Sequence, residues 1–172
     1  IIADHIKAAV FIINDGIVPG NSEQGYVLRR LIRRAIRYGR MLGIESFTTK
    51  IAGAIYPIYD DYKLDTKKIT IELAKEEANF LKTLEQGLRV LEKIAAKSKG
   101  ISGKNAFLLY QSYGFPIEMT AELAIEKGLE LDKKDFQKEA KKHQELSRTA
   151  SAGKFKSGLA DNSKQTTRLH TA

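Results

Sequence analysis

Apolar residues recur along this chain with the 3.6-residue spacing of helices almost from end to end. Ile6, Val10 and Ile13 alternate with Asp4, Lys7 and Asn14, which predicts a first helix from about Ala3 to Asn14. Asp15-Gly-Ile-Val-Pro-Gly-Asn-Ser follows, and Pro19 and Gly20 end regular structure there. In Gly25-Tyr-Val-Leu-Arg-Arg-Leu-Ile-Arg-Arg-Ala-Ile-Arg-Tyr-Gly-Arg40, residues Leu28, Leu31, Ile32, Ala35 and Ile36 gather on one side of a wheel, so a helix runs to Gly39 or Gly43. Ser46 is placed to cap a short helix reaching about Tyr59. The longest element is expected from about Thr66 to Ser98, with Leu73, Phe80, Leu84, Leu88, Leu91 and Ala95 as its stripe. The stripe lacks strict heptads, so a helix against which shorter ones pack is favoured over a coiled-coil arm. Lys99-Gly-Ile-Ser-Gly breaks it. Shorter helices then run from Ser102 to Tyr113, from Pro116 to about Lys127, and from a cap at Asp132 to about Ser147.

From Arg148 the residues turn small, polar and basic, which reads as a linker or extended arm. Asn162 or Ser163 could cap a last helix running to the chain end. The expected fold is therefore all-α: six to seven helices packed on one long helix, with an irregular basic C-terminal arm. The division is a helical domain over residues 1–149 and an arm over 150–172.

Charge sharpens this picture. The 172 residues carry 29 Lys+Arg against 21 Asp+Glu, a formal charge of +8 that suits a polyanionic partner. The excess concentrates on the second helix. Arg29, Arg30, Arg33, Arg34, Arg37 and Arg40 fan across the side opposite its apolar stripe, and no acidic residue lies between Glu23 and Glu45. Guanidinium groups favour planar, bidentate recognition of phosphate, so the helix reads as a cationic rail. Only Tyr26 and Tyr38 accompany the arginines, which argues for a duplex gripped by its phosphates over a single strand stacked on aromatics. Asn21 beside the rail admits two readings, a helix N-cap and a donor to base edges; local sequence alone favours the cap. The lysines of the helix after Asp132 read as an ordinary solvated face.

Catalytic chemistry is not legible. His5, His143 and His170 are far apart, no cysteine is present, and no glycine-rich phosphate loop occurs. His5 reads as a surface or capping residue. The lack of cysteine excludes disulfides, and no apolar run approaches the roughly 20 residues of a membrane span. The start at Ile1 has no signal-peptide layout, so the expectation is a cytoplasmic piece cut from a longer protein.

Several blocks resemble one family. Ile2-Ala-Asp-His-Ile-Lys-Ala-Ala, Asp15-Gly-Ile-Val-Pro-Gly-Asn, the arginine helix, Glu76-Glu-Ala-Asn-Phe-Leu-Lys-Thr-Leu-Glu-Gln-Gly, Phe107-Leu-Leu-Tyr-Gln-Ser-Tyr-Gly-Phe-Pro-Ile-Glu-Met-Thr and Thr166-Thr-Arg-Leu-His-Thr-Ala occur in the order found in alanyl-tRNA synthetases. The resemblance implies the helical tRNA-recognition domain that follows a class II aminoacylation core, whose ATP and magnesium sites lie upstream. It implies binding of the alanine-tRNA acceptor stem, with the catalytic and editing domains of the same polypeptide as neighbours. The fragment by itself is not expected to make alanyl-adenylate. The family marks its tRNA by a G·U wobble pair, read by an asparagine that maps onto Asn21 and by an aspartate that maps onto Gln111. The match at Asn21 raises base contact above the cap. At Gln111 the chain departs from the family, keeping an acceptor oxygen but losing the charge, with Ser112 as a neighbour able to share the task. The six arginines would hold phosphate. Thr-Arg-Leu-His170-Thr-Ala resembles the start of the zinc motif of the family's editing domain, so His170 would be a first ligand of an incomplete site. In most members a β-barrel precedes that domain; the resemblance implies that the short arm takes its place in this sequence. Two rival readings stand beside this one: a stand-alone helical interaction module, and part of a zinc-dependent tRNA-editing unit.

Overall fold

One long helix, Thr66–Ala95, organises the fold, and its apolar stripe is what the shorter helices pack on. A computed structural model describes residues 1–158. Helices α1 (Ile2–Asn14), α2 (Glu23–Met41), α3 (Thr48–Ile55), α4 (Thr66–Ala95), α5 (Gly103–Tyr113), α6 (Ile117–Glu126) and α7 (Lys133–Gly158) follow in order. A 3-10 turn, Tyr56–Tyr59, extends α3. Gly100–Ile101 and Glu130–Leu131 form a two-residue parallel bridge, β1 with β2, the one strand pairing among the described residues. At 1.5 Å per residue α4 is about 45 Å long. Its stripe of Ile69, Leu73, Phe80, Leu84 and Leu91 is fully buried, and α4 packs against α1, α2, α3 and α5. Leu28, Ile32, Ala35 and Ile36 of α2 enter the same core, so the arginine helix is anchored as its pattern requires. Helix α7 lies on α5, where Phe136 packs beside Phe107 and Tyr110.

Three helix ends follow the sequence closely. Asp65 accepts from Lys68 N at 3.0 Å, Ser102 from Asn105 N at 3.3 Å and Asp132 from Asp135 N at 2.8 Å. Each satisfies an amide that a helix start leaves unpaired. At two other ends the structure corrects the local reading. Ser46 does not cap α3, because its φ of 43° belongs to the left-handed region and points the chain elsewhere. The buried carboxylate of Glu77, arriving from α4, takes the cap position: it accepts from Phe47 N at 2.9 Å and from the Thr48 hydroxyl at 2.7 Å. Asn21 does not cap α2 either. Ser22 occupies that position without a side-chain bond, and the Asn21 carbonyl oxygen accepts from Arg29.

Helix α7 also continues further than expected, through Gly158 instead of ending near Ser147. The segment assigned to an irregular arm therefore begins as helix. Residues 148–158 contain no proline, and the single interior Gly153 costs only about 1 kcal/mol, too little to stop a helix by itself. The helix expected after Asn162 and the residue His170 lie outside the described residues.

The cap supplied from a distance gives a direct test. Glu77→Ala should lower unfolding free energy by about 1–2 kcal/mol, measured in urea, and should speed amide exchange at Phe47 and Thr48. Ser46→Ala should leave both unchanged.

Candidate nucleic-acid interface

Glutamates from α4, from α6 and from the loop after α2 meet the arginines of α2. Arg33 Nε donates to Glu76 Oε1 of α4 at 2.6 Å, and Arg29 Nε lies 3.4 Å from the same oxygen. Arg30 bonds Glu118 at 2.8 Å, Arg34 bonds Glu122 at 2.8 Å, and Arg37 bonds Glu126 while lying 3.7 Å from Glu122. Arg40 reaches Glu45 at 2.9 Å and also Glu85. The sequence suggests an unneutralised rail, and the tertiary structure overturns that: six arginines face six glutamates, five of them from α4 and α6. The spacing explains the match with α6. Arginines at 30, 34 and 37 and glutamates at 118, 122 and 126 each advance about one helical turn per step, so one ladder faces the other.

Burial sorts the arginines. Arg37 is 4% exposed and Arg33 13%, whereas Arg30, Arg34 and Arg40 keep about a third of their side chains in solvent, 36%, 34% and 33%. Arg33 also donates to the Gly114 carbonyl and lies 5.0 Å above the Phe80 ring. Burial lowers its affinity for a proton and Glu76 opposes that, so it stays charged in a desolvated place. Burial also pushes up the Glu118 carboxyl, but its backbone bond, the Tyr26 hydroxyl at 2.8 Å and Arg30 outweigh this and hold it below its ordinary range. The same burial and the Glu118 charge raise the Tyr26 hydroxyl. His5 is half-buried, with Nε2 3.4 Å from Arg34, and burial followed by the Arg34 charge lowers its proton affinity.

Beside this network lies a cleft of about 370 Å³ lined by Asn21, Tyr26, Arg29, Arg33, Tyr110, Gln111 and His143, among others. The loop before α2 supplies Asn21, the last turns of α5 supply Gln111, and α7 supplies His143. Asn21 and Gln111, expected to act together but distant in sequence, thus share one wall-to-wall space. Ser112 is exposed and does not line the cleft. Arg29 and Arg33 do line it, while Arg30, Arg34, Arg37 and Arg40 point toward α6 or the far end of α4. His143 was not marked by sequence, because it stands among lysines on a helix whose outer face is solvated. In the structure its ring lies 5.4 Å from Phe107, and its Nε2 is 2.9 Å from the Gln111 amide nitrogen.

No group of three His, Cys, Asp or Glu residues among the described residues could hold a metal. No helix among them is long and apolar enough to cross a membrane.

Comparison with known proteins fits this architecture. A model of class II tRNA synthetases (A) matches residues 1–171. The chain belongs to the alanyl-tRNA synthetase family. It is 50% identical over 181 residues to the alanine–tRNA ligase of Borreliella afzelii, covering all of this chain and 30% of that protein. Against the alanine–tRNA ligases of Microcystis aeruginosa and Thermotoga petrophila the identities are 47% and 43%, each over 87% of this chain and 18% of the relative. The chain thus spans less than a third of the length of the synthetases it matches.

Two consequences can be measured. Arg33→Ala leaves buried Glu76 with Arg29 alone, 3.4 Å away, and should cost about 3 kcal/mol, whereas Arg40→Ala, at a solvent-exposed pair, should have a far smaller effect on stability. Acidification should act on His5 and Glu118 in the same direction, because folding favours the deprotonated form of both. The His5 contribution is complete above its ordinary value of 6.5 and fades below it. That of Glu118 is complete above 4.5 and is lost as pH falls through its lower folded value. Glu118→Gln should therefore flatten the acid limb of a stability–pH curve below pH 4.5.

Proposed function

We propose that this chain is the tRNA-recognition portion of an alanine–tRNA ligase and that its cleft receives the minor groove of the alanine-tRNA acceptor stem at a G·U wobble pair. The observation that carries this reading is the meeting of Asn21 and Gln111 in one cleft with Arg29 at its rim. The A-form minor groove is wide and shallow enough for side chains to enter, and a guanine presents an exocyclic amino donor there beside acceptor atoms. Asn21 and Gln111 are complementary to such an edge. The Asn21 carbonyl is engaged by Arg29, which leaves its amide nitrogen to donate. Gln111 offers an amide where the family has a carboxylate.

The arginines divide between two tasks. Arg33 and Arg37 brace the helices and are too buried to meet phosphate. Arg29, Arg30, Arg34 and Arg40 retain enough exposure to exchange a glutamate partner for the backbone of the stem. Such contacts give affinity without sequence preference and weaken with salt. Residues 1–149 would form the recognition unit, with 150–172 leading toward an editing domain in which His170 is one zinc ligand. In the complete ligase an upstream core would use ATP and magnesium to activate and attach alanine in the cytoplasm, while this portion holds the stem in register.

Binding of the 172-residue chain to acceptor minihelices differing only in G·U or G·C tests the reading. The intact chain should prefer G·U, and Asn21→Ala should erase about 1–3 kcal/mol of that preference with little change in binding to G·C. Arg30→Ala should weaken both stems alike and reduce the slope of log affinity against log salt by about 0.7–0.9 per lost contact. Equal binding of the two stems by the intact chain would refute the wobble-pair reading.

A further inference from the structure

Gln111 raises a chemical problem that an aspartate would not. A carboxylate presents acceptor oxygens whichever way it turns, whereas an amide presents an acceptor on one side and donors on the other. A half-turn about its last torsion inverts the pattern shown to a ligand. For Gln111 to replace the family's carboxylate, something must hold the amide with its oxygen outward. Exposed on the last turns of α5, it has one side-chain partner among the described residues, His143. That contact joins the Gln111 amide nitrogen to His143 Nε2 at 2.9 Å. The amide nitrogen carries only donor hydrogens, so the bond requires a neutral imidazole with Nε2 as acceptor and the proton on Nδ1. The ring itself is steadied at 5.4 Å from Phe107, and α7 is seated on α5 by Phe136 against Tyr110. With the nitrogen tied to His143, the Gln111 carbonyl oxygen has no protein partner among the described residues.

We propose that His143 is a positioning residue for specificity: it fixes the Gln111 amide so that its carbonyl oxygen serves as the acceptor for an amino group on the bound base pair. The inference rests on the wobble-pair reading of the cleft, and it assigns the function of the missing carboxylate to a pair of residues on α5 and α7. Asn21 and Gln111 then form a matched set. Arg29 holds the first with a donor outward, and His143 holds the second with an acceptor outward.

The tautomer of His143 tests the inference without RNA. Long-range proton–nitrogen correlation spectra of the full chain at neutral pH should show Nδ1 protonated and Nε2 bare; a protonated Nε2 would overturn it. Binding to the two minihelices provides the second test, with the ratio of G·U to G·C affinity as readout, since added charge acts equally on both stems. His143→Glu supplies an acceptor only and should keep the ratio. His143→Lys supplies donors only, turns the amide around and should lower the ratio about tenfold. In a Gln111→Glu background, where no amide needs orienting, His143→Lys should leave the ratio unchanged. Both substitutions fall on an exposed side chain, and circular dichroism checks that the helices persist. If His143→Lys preserves the ratio, or lowers it equally in the Gln111→Glu background, His143 does not orient Gln111. The wobble-pair reading itself would still stand on the Asn21→Ala result, whereas an intact chain that binds both stems alike would overturn both proposals.

Discussion

The ion pair between Arg33 and Glu76 is the constraint from which the rest of the site follows. It sits where α2 crosses α4, and both partners are largely withdrawn from water. A guanidinium in that position must have its hydrogens met, and Arg33 meets them with Glu76, with the Gly114 carbonyl and with the face of Phe80. Gly114 is the left-handed residue, φ 70°, that ends α5. A side chain there would be strained by the backbone and would collide with the Arg33 guanidinium. One arginine therefore fixes three elements at once: the rotation of α2, its height along α4, and the turn that aims α5 at the cleft. Gln111 lies just before that turn, so its place opposite Asn21 depends on a residue that need not touch RNA.

Buried ion pairs are poor sources of net stability, because desolvation offsets most of the attraction. This network is also incompletely satisfied, since Arg34 Nε, Arg37 Nη1 and Glu122 Oε2 are buried without hydrogen-bond partners. Its contribution is better described as register. Apolar contacts between α2 and α4 would tolerate a sliding helix, whereas the ladder of Arg30, Arg34 and Arg37 against Glu118, Glu122 and Glu126 brings each arginine to a carboxylate in one alignment only. If the cleft receives a rigid duplex, as proposed, a fixed register has a use there.

The partner glutamates also change what the arginines can do. Six adjacent cations without counter-charges would attract any polyanion strongly and with little selectivity. Pairing each with a carboxylate reduces that field and leaves groups that bind phosphate only by exchanging a partner. On the wobble-pair proposal, discrimination would fall on the neutral amides of Asn21 and Gln111, where the pattern of donors and acceptors matters more than charge.

The helices and most of their ends could be located from the sequence, because the signals are local: apolar spacing for α1, α2 and α4, and caps at Asp65, Ser102 and Asp132 that act within three residues. The family is also legible in short ordered blocks of residues. What the tertiary structure decided are interactions between residues far apart in the chain. Glu77 caps α3 from thirty residues away, where Ser46 is the local choice by residue type but has the wrong backbone angle. Glutamates spread over α4 and α6 neutralise a helix that looks purely cationic when its own segment is considered alone. His143 reaches Gln111 because α7 folds back on α5, and no pattern within either segment encodes that meeting. Local sequence fixes which backbone amides a side chain can reach and which face of a helix avoids water; only packing determines which charge is answered, and by whom.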